Sequence, residues 1–269
     1  VIVAAAVSRM IQWLRSAEKS SPTTLPEWLQ HYRRELSWVD VCINRAWRDH
    51  STTELARLSH RVLAEVRPRR AALDRDFAAL AATTATERHT AGDTLLVEDV
   101  LDRIIAPLMV NPADDATHRP LLAIVLDGMS VPASNVLVEN IINDPNSQWQ
   151  EAVPGQETLS TALSVLPSVT EHSRTSLLSG MLASGGQQAE TAGLSAWATT
   201  HLKNHAAGTV LMHKADLDQG IVDDVRARVE DTTRHKLVVA VLNTIDDALD
   251  KSDPIDRVWG IRDISHLHP

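Results

Sequence analysis

The stretch that decides the fold is Arg119-Pro120-Leu121-Leu122-Ala123-Ile124-Val125-Leu126-Asp127-Gly128. Six apolar residues in unbroken succession, ending on an acid and a glycine, predict a strand buried on both faces, and hence a parallel sheet. In open sheets of this kind ligands bind outside the carboxyl ends of the strands, which makes Asp127 the first candidate for chemistry.

Downstream of this strand, apolar runs alternate with helical patterns. The order predicted is a strand at 121–126, a helix near 133–143, a strand near 161–166 and a helix near 171–182, then a strand near 208–213, a helix near 220–230 and a strand near 236–243. Such alternation predicts an α/β fold with a mainly parallel sheet and helices on both faces.

Upstream the pattern is helical. Val3, Val7, Met10, Ile11 and Leu14 recur at helical spacing, and a second helix starting near Pro26 carries Trp28, Leu29, Tyr32, Leu36, Val39, Ile43 and Trp47. Ser51-Thr52-Thr53-Glu54 has the capping-box form and opens a helix that would bury Leu55, Leu58, Val62 and Val66 and loosen at Arg67-Pro68. Residues 73–80 continue helical, residues 83–93 read as a polar linker, and residues 95–108 as an amphipathic helix. Asn111 to His118, rich in Pro and Asp, marks the boundary between a helical domain, 1–118, and the α/β core, 119–269.

Composition narrows the classes. The hydrophobic fraction of 43% and charged fraction of 23% are those of a soluble globular chain. No apolar stretch approaches the roughly 20 residues that cross a bilayer, so a cytoplasmic protein without a membrane partner is expected. A single cysteine, Cys42, flanked by Val41 and Ile43, reads as a buried hydrophobe. Of the net charge of −9, residues 1–118 hold 15 basic and 16 acidic side chains and residues 119–269 hold 11 and 19, so the core is acidic and disfavours a long polyanion. Arg67, Arg69 and Arg70 form a short basic cluster with no interleaved aromatics to stack bases, which reads as a solvated helix end. The chain begins with Val and stops at His268-Pro269, which reads as an excerpt from a longer protein.

Three loops that follow strand-like runs carry oxygen ligands. The first is Asp127-Gly128. In the second, Pro167-Ser168-Val169-Thr170-Glu171-His172-Ser173-Arg174, the Thr170 hydroxyl sits where a strand turns into a helix, a setting that suits an alkoxide, a phosphate or an ordinary N-cap. In the third, Asn243-Thr244-Ile245-Asp246-Asp247-Ala248-Leu249-Asp250, one helical turn separates Asp246 from Asp250 and sets both carboxylates on one face. Paired carboxylates call for a cation, and oxygen donors suit Mg, Mn or Zn.

Taken together, Asp127-Gly128, Pro167-Ser168-Val169-Thr170, Ser173-Arg174, Ser179-Gly180 and Ile245-Asp246 to Asp250 resemble the PglZ family of the alkaline phosphatase superfamily. The stretches LMHKADLD and VLNTIDDALDKSDP and the later Trp259 are most similar to the branch found in type 2 BREX phage-defence systems. The resemblance implies an alkaline-phosphatase-like core and a two-metal phosphoester hydrolase of a phage-defence system. Asp127 and Thr170 would hold one zinc (Mn or Mg as alternatives), Asp246 and Asp250 the other, with Thr170 as nucleophile and Arg174 on a phosphate oxygen. It implies a phosphate-containing substrate and other BREX or Pgl components as partners. The family completes its metals with a downstream Asp-His motif that does not occur before Pro269, so these 269 residues alone are expected to be inactive. A reading of another class is a non-catalytic scaffold within the defence assembly.

Other residues weigh less. His201 and His205 have the spacing of zinc helices but lack the metalloprotease Glu. His172 and His213 lie near the proposed edge. Ser184-Gly185-Gly186 lacks a phosphate-loop frame and reads as a mobile loop. A serine hydrolase using Ser130 or Ser176 lacks the Gly-x-Ser-x-Gly elbow.

Overall fold

The computed structural model describes residues 2–16, 22–47, 53–86, 94–109, 119–145, 150, 152, 160–202, 206, 208–213 and 221–251. Its contacts divide the chain into two compact units, Val1–Thr94 with Ser130–Glu151, and Leu95–Met129 with Ala152–Ser252. The division falls at Thr94 rather than at residue 118, and the first unit reclaims a helix from beyond the first strand.

The first unit is helical. α1 (Ile2–Arg15) buries Ala6, Val7, Met10 and Trp13. α2 (Leu25–His31) starts with a capping box in which Thr24 and Glu27 satisfy each other's backbone amides, with Pro26 in the first turn. A π-turn at Tyr32–Leu36 carries it into α3 (Ser37–Trp47), so one helical run spans the segment predicted from Pro26 to Trp47. α4 (Glu54–Thr86) is continuous through Pro68, against the predicted loosening there. An interior proline costs about 3 kcal/mol. Here the helix is held on both sides of it by burial of Val62, Leu63 and Val66 and by the packing of Leu73, Phe77 and Leu80 on the same core. Its N-cap is Thr53, whose Oγ1 accepts from the Ala56 amide at 3.2 Å; Ser51 and Thr52 lie outside the described residues.

The basic cluster is part of this packing. The Arg67 guanidinium lies over Trp47, 4.1 Å from the ring centre, and Arg69 lies over Trp13 at 4.3 Å. Arg69 also donates to the Trp13 and Leu14 carbonyls at 2.9 and 3.2 Å, satisfying the end of α1. Arg70 pairs with Asp40 at 2.9 Å. The tryptophans Trp13 and Trp28 are buried, as core anchors should be.

α6 (Val131–Asn143) belongs to this helical unit. Its Asn135 is buried, donates to Ser37 Oγ at 2.9 Å and accepts from Arg33 Nη1 at 3.1 Å, while Val136 and Leu137 are buried beside it.

The second unit is built on a three-stranded parallel sheet of β1 (Leu121–Leu126), β2 (Thr209–Met212) and β3 (Leu237–Leu242), in the order β1-β3-β2. β3 is central and all six of its residues are buried, as its unbroken apolar run requires. β1 pairs with it from Leu121↔Leu237 to Leu126↔Leu242, and β2 from Thr209↔Leu237 to Met212↔Ala240. Leu237, Val239 and Val241 meet Leu121, Ala123 and Val125 in one core, closed by Leu178 of α7 (Thr170–Ser179) and by Leu194, Trp197 and Ala198 of α8 (Gln187–His201). α9 (Ile221–Glu230) packs against β3, and α10 (Thr244–Lys251) follows β3 after a single residue. The chain is thus an α/β protein with a small parallel sheet and a large share of helix.

Two predicted elements differ. Residues 161–166 do not join the sheet; Leu163 instead makes an isolated parallel bridge to Leu96, donating to the Leu95 carbonyl at 2.8 Å. The helix predicted at 95–108 is a sequence of a 3-10 turn (Val97–Asp99), a π-turn (Leu101–Ile105) and a short α5 (Ala106–Met109), started by Asp99 accepting from the Leu96 amide at 3.1 Å. α8 was not among the predicted elements. Among the described residues no helix is long and apolar enough to cross a membrane.

Candidate active site

In a parallel sheet every strand delivers its carboxyl end to the same edge, and here those ends are occupied by Asp127, His213 and the Asn243-Thr244 turn into α10. The Asp127 amide extends the ladder by donating to the Leu242 carbonyl at 2.9 Å, which fixes the residue beside the start of α10. Gly128 then turns with φ of 75°, and a Cβ built there would stand 3.2 Å from both Cα and N of Asp246. Glycine is required at this position on both counts, since a side chain would strain the turn and press on α10. The turn is what brings the loops of Asp127 and Asp246 together.

Asp127 is largely buried and accepts from Arg174 Nη1 at 2.8 Å. Burial pushes its carboxyl above the ordinary aspartate range; the Arg174 charge opposes the shift, and the nearby Asp246 carboxylate adds to it. Asp246, in the first turn of α10, has no hydrogen-bond or ion-pair partner among the described residues. The two carboxylates that most need a cation are thus near neighbours, and the one guanidinium at hand, Arg174, pairs with Asp127 and not with Asp246.

Thr170 is the first residue of α7, and Val169, in extended backbone, occupies the N-cap and offers no side-chain acceptor. Capping is therefore not what the Thr170 hydroxyl does, and it has no hydrogen-bond partner among the described residues. Thr170 and Arg174 are one helical turn apart and share a face of α7, so the helix that aims Arg174 at Asp127 carries Thr170 along the same side. No hydrogen bond joins Thr170 to Asp127 or Asp246 among the described residues. α10 forms over Thr244–Lys251, as the Asp246-to-Asp250 spacing predicts, but the Asp250 side chain lies outside the described residues.

Arg174 is 8% exposed, and its second partner was not anticipated from the sequence: Nε donates to Glu190 Oε1 at 2.8 Å. Glu190, on α8, is fully buried, and its other oxygen meets His213 Nε2 at 2.7 Å. The one sequence signal for this acid is its place four residues before Leu194 and seven before Trp197, on the face that α8 buries. An unbroken hydrogen-bonded chain results, Asp127–Arg174–Glu190–His213, joining β1, α7, α8 and the end of β2.

The remaining candidates resolve into structural roles. Ser130 caps α6. Ser176 is buried, donating to the Ala183 carbonyl and accepting from its amide, both at 3.0 Å. His201 stacks on Trp197 and sits 3.2 Å from Asp102. His172 lies 3.8 Å from Glu171. The Gly185 amide donates to the Glu171 carbonyl at 3.0 Å and its carbonyl accepts from Thr175 at 2.8 Å, so the glycine loop is tethered to α7. His205, His266 and His268 lie outside the described residues.

Among the described residues no group of three or more His, Cys, Asp and Glu side chains is arranged to hold a metal ion. The two carboxylates at the edge are hard oxygen donors of the kind Mg, Mn and Zn accept, and the mutual repulsion of Asp127 and Asp246 is what a divalent cation relieves. By donor chemistry the residues fit such an ion. Comparison of the chain with protein-family models, with curated proteins and with solved structures finds no match.

Proposed function

We propose that the α/β unit is a PglZ-type, alkaline-phosphatase-like core, and that the protein is a metal-dependent phosphoester hydrolase of a bacterial phage-defence system acting in the cytoplasm. The observation that carries this reading is the meeting of Asp127 and Asp246 at the carboxyl edge, with Asp246 lacking a partner among the described residues. Thr170 adds to it, as a hydroxyl with no partner on the face of α7 that leads to Asp127.

In this reading Asp127 and Thr170 would hold one divalent ion, and Asp246 and Asp250 the other. A bound divalent ion lowers the pKa of a coordinated hydroxyl and offsets charge on the phosphoryl oxygens. Thr170 Oγ1 forms the bond to phosphorus as the bond to the leaving oxygen breaks, and its hydroxyl proton leaves to solvent. Water then hydrolyses the phosphothreonine, returning the hydroxyl and releasing phosphate or a phosphomonoester. Arg174 stands beside Asp127 to hold a non-bridging oxygen. The partners are a phosphate-containing substrate and other components of the defence assembly.

The test is hydrolysis of p-nitrophenyl phosphate and bis-p-nitrophenyl phosphate by the full-length protein loaded with Zn²⁺, Mn²⁺ or Mg²⁺. Activity that falls to background with Thr170→Ala or Asp127→Asn, and on chelation, supports the reading. Full activity in Thr170→Ala refutes it.

A scaffold reading is favoured by one observation: Arg174 already pairs with Asp127, which stabilises this edge without any metal. Phage restriction unaffected by Thr170→Ala, with no hydrolysis by the wild type, would establish it.

A further inference from the structure

We infer that Glu190 is a positioning residue whose buried carboxylate sets the guanidinium plane of Arg174 against Asp127, leaving Nη2 as the donor for a tetrahedral oxyanion. The inference deepens the phosphoester reading and rests on it for the identity of the oxyanion.

An acid with no exposed surface, on a helix face otherwise made of Leu194, Trp197 and Ala198, is expensive to bury and is kept only where its oxygens are answered. Both oxygens of Glu190 are answered, one by Arg174 Nε at 2.8 Å and one by His213 Nε2 at 2.7 Å. If stability were the only requirement, apolar side chains of similar volume replacing Glu190 and Arg174 together would serve as well as the ion pair does. What the ion pair adds is direction.

A guanidinium is a rigid planar fork, so two bonds to different acceptors fix its orientation completely. Arg174 makes those two bonds, Nε to Glu190 and Nη1 to Asp127 at 2.8 Å. Among the described residues Nη2 has no acceptor, and with the plane fixed the directions of its two N–H bonds are fixed as well. His213 completes the clamp from the other side: an ionised Glu190 requires a proton on Nε2, so the imidazole donates and holds the carboxylate from the end of β2. A ligand oxygen arriving beside Asp127 therefore meets a donor already oriented by groups on α8 and β2 that never touch it.

The test uses the full-length protein and three variants, Glu190→Leu, Glu190→Gln and Arg174→Ala. The readouts are the dissociation constant of inorganic phosphate at saturating Zn²⁺ and the ¹H–¹⁵N signal of Arg174 Nε. Loss of one charge-assisted contact weakens phosphate about tenfold in Arg174→Ala. The inference expects Glu190→Leu to match that loss with the slowly exchanging Nε–H signal gone, and to melt below wild type because Arg174 and His213 lose their buried partner. Glu190→Gln, which can still accept from Nε, falls between.

Phosphate affinity within twofold of wild type in Glu190→Leu, while Arg174→Ala weakens it, overturns the inference. If Glu190→Leu fails to fold, Glu190→Gln decides, and an affinity and Nε–H signal identical to wild type overturn it. A wild-type protein that binds no phosphate overturns it as well. A wild type that hydrolyses no phosphoester, yet whose phosphate affinity depends on Glu190 as stated, refutes the hydrolase reading and leaves the positioning role standing.

Discussion

Asp127 holds its proton more tightly in the folded chain than an ordinary aspartate does, because burial and then the charge of Asp246 outweigh Arg174. Its folded value lies above its unfolded one, so in the interval between them the folded state binds more protons and stability falls as pH rises through it. Asp246→Asn removes one of the raising charges and is expected to move the Asp127 titration downward, which carboxyl ¹³C shifts followed against pH will show; an unmoved titration would mean the two acids do not sense each other. A different outcome is expected at Cys42, buried and with its thiol pushed up by that burial. It should not react with DTNB at pH 8 in the native protein and should react within minutes once urea unfolds it. Cys42 was legible in the sequence because its neighbours Val41 and Ile43 announce a core position. Glu190 was not, since the feature that makes it important, two partners on other elements, exists only after α7, α8 and β2 have packed.

Among the elements, the strands were the most legible. β1 is the predicted 121–126, and β3 lies one residue inside its predicted ends, because an unbroken apolar run has few alternatives to a parallel strand; only the central β3 is buried throughout, whereas β1, predicted to be buried on both faces, pairs with β3 alone among the described residues and leaves Ile124 exposed. Residues 161–166 carry a similar composition but found Leu96 in place of a strand edge, a choice made by what lies nearby and not by propensity. Two helices make predictions in which local propensity and packing oppose each other. At Pro68 local propensity opposes the helix and packing overrides it, so Pro68→Ala should raise the urea midpoint by the equivalent of about 1–3 kcal/mol. At Gly193, inside α8, propensity alone says that alanine stabilises by about 1 kcal/mol. A Cβ there would fall 2.1 Å from Ser179 Oγ and 3.0 Å from its Cα, where α7 meets α8. Overpacking of this kind costs about 1–3 kcal/mol, so Gly193→Ala is expected to lower the melting temperature, and a rise would show that Ser179 moves aside freely.

The whole molecule departs most from the sequence reading in how its segments are shared out. A helical part followed by an α/β part was legible from the change of hydrophobic period near Arg119. That α6 leaves the sheet it follows to join helices made about a hundred residues earlier was not, because its apolar face fits either destination. What commits it is polar: Asn135 meets Ser37 and Arg33, which lie 98 and 102 residues away along the chain. Asn135→Ala removes a buried partner from both and should destabilise the helical unit by about 1–3 kcal/mol, read from the fluorescence of Trp13, Trp28, Trp38 and Trp47 in urea. An unchanged midpoint would mean that the apolar contacts of Val136 and Leu137 hold α6 by themselves.

Because the segment Ser130–Glu151 is claimed by the first unit, the second is interrupted in sequence even though it is compact in space. During synthesis the helical unit therefore cannot close until β1 has already left the ribosome, and β1 must wait, unpaired, for β3 to emerge more than a hundred residues later. The two units are interleaved along the chain, and no single cut of the gene can release either half intact.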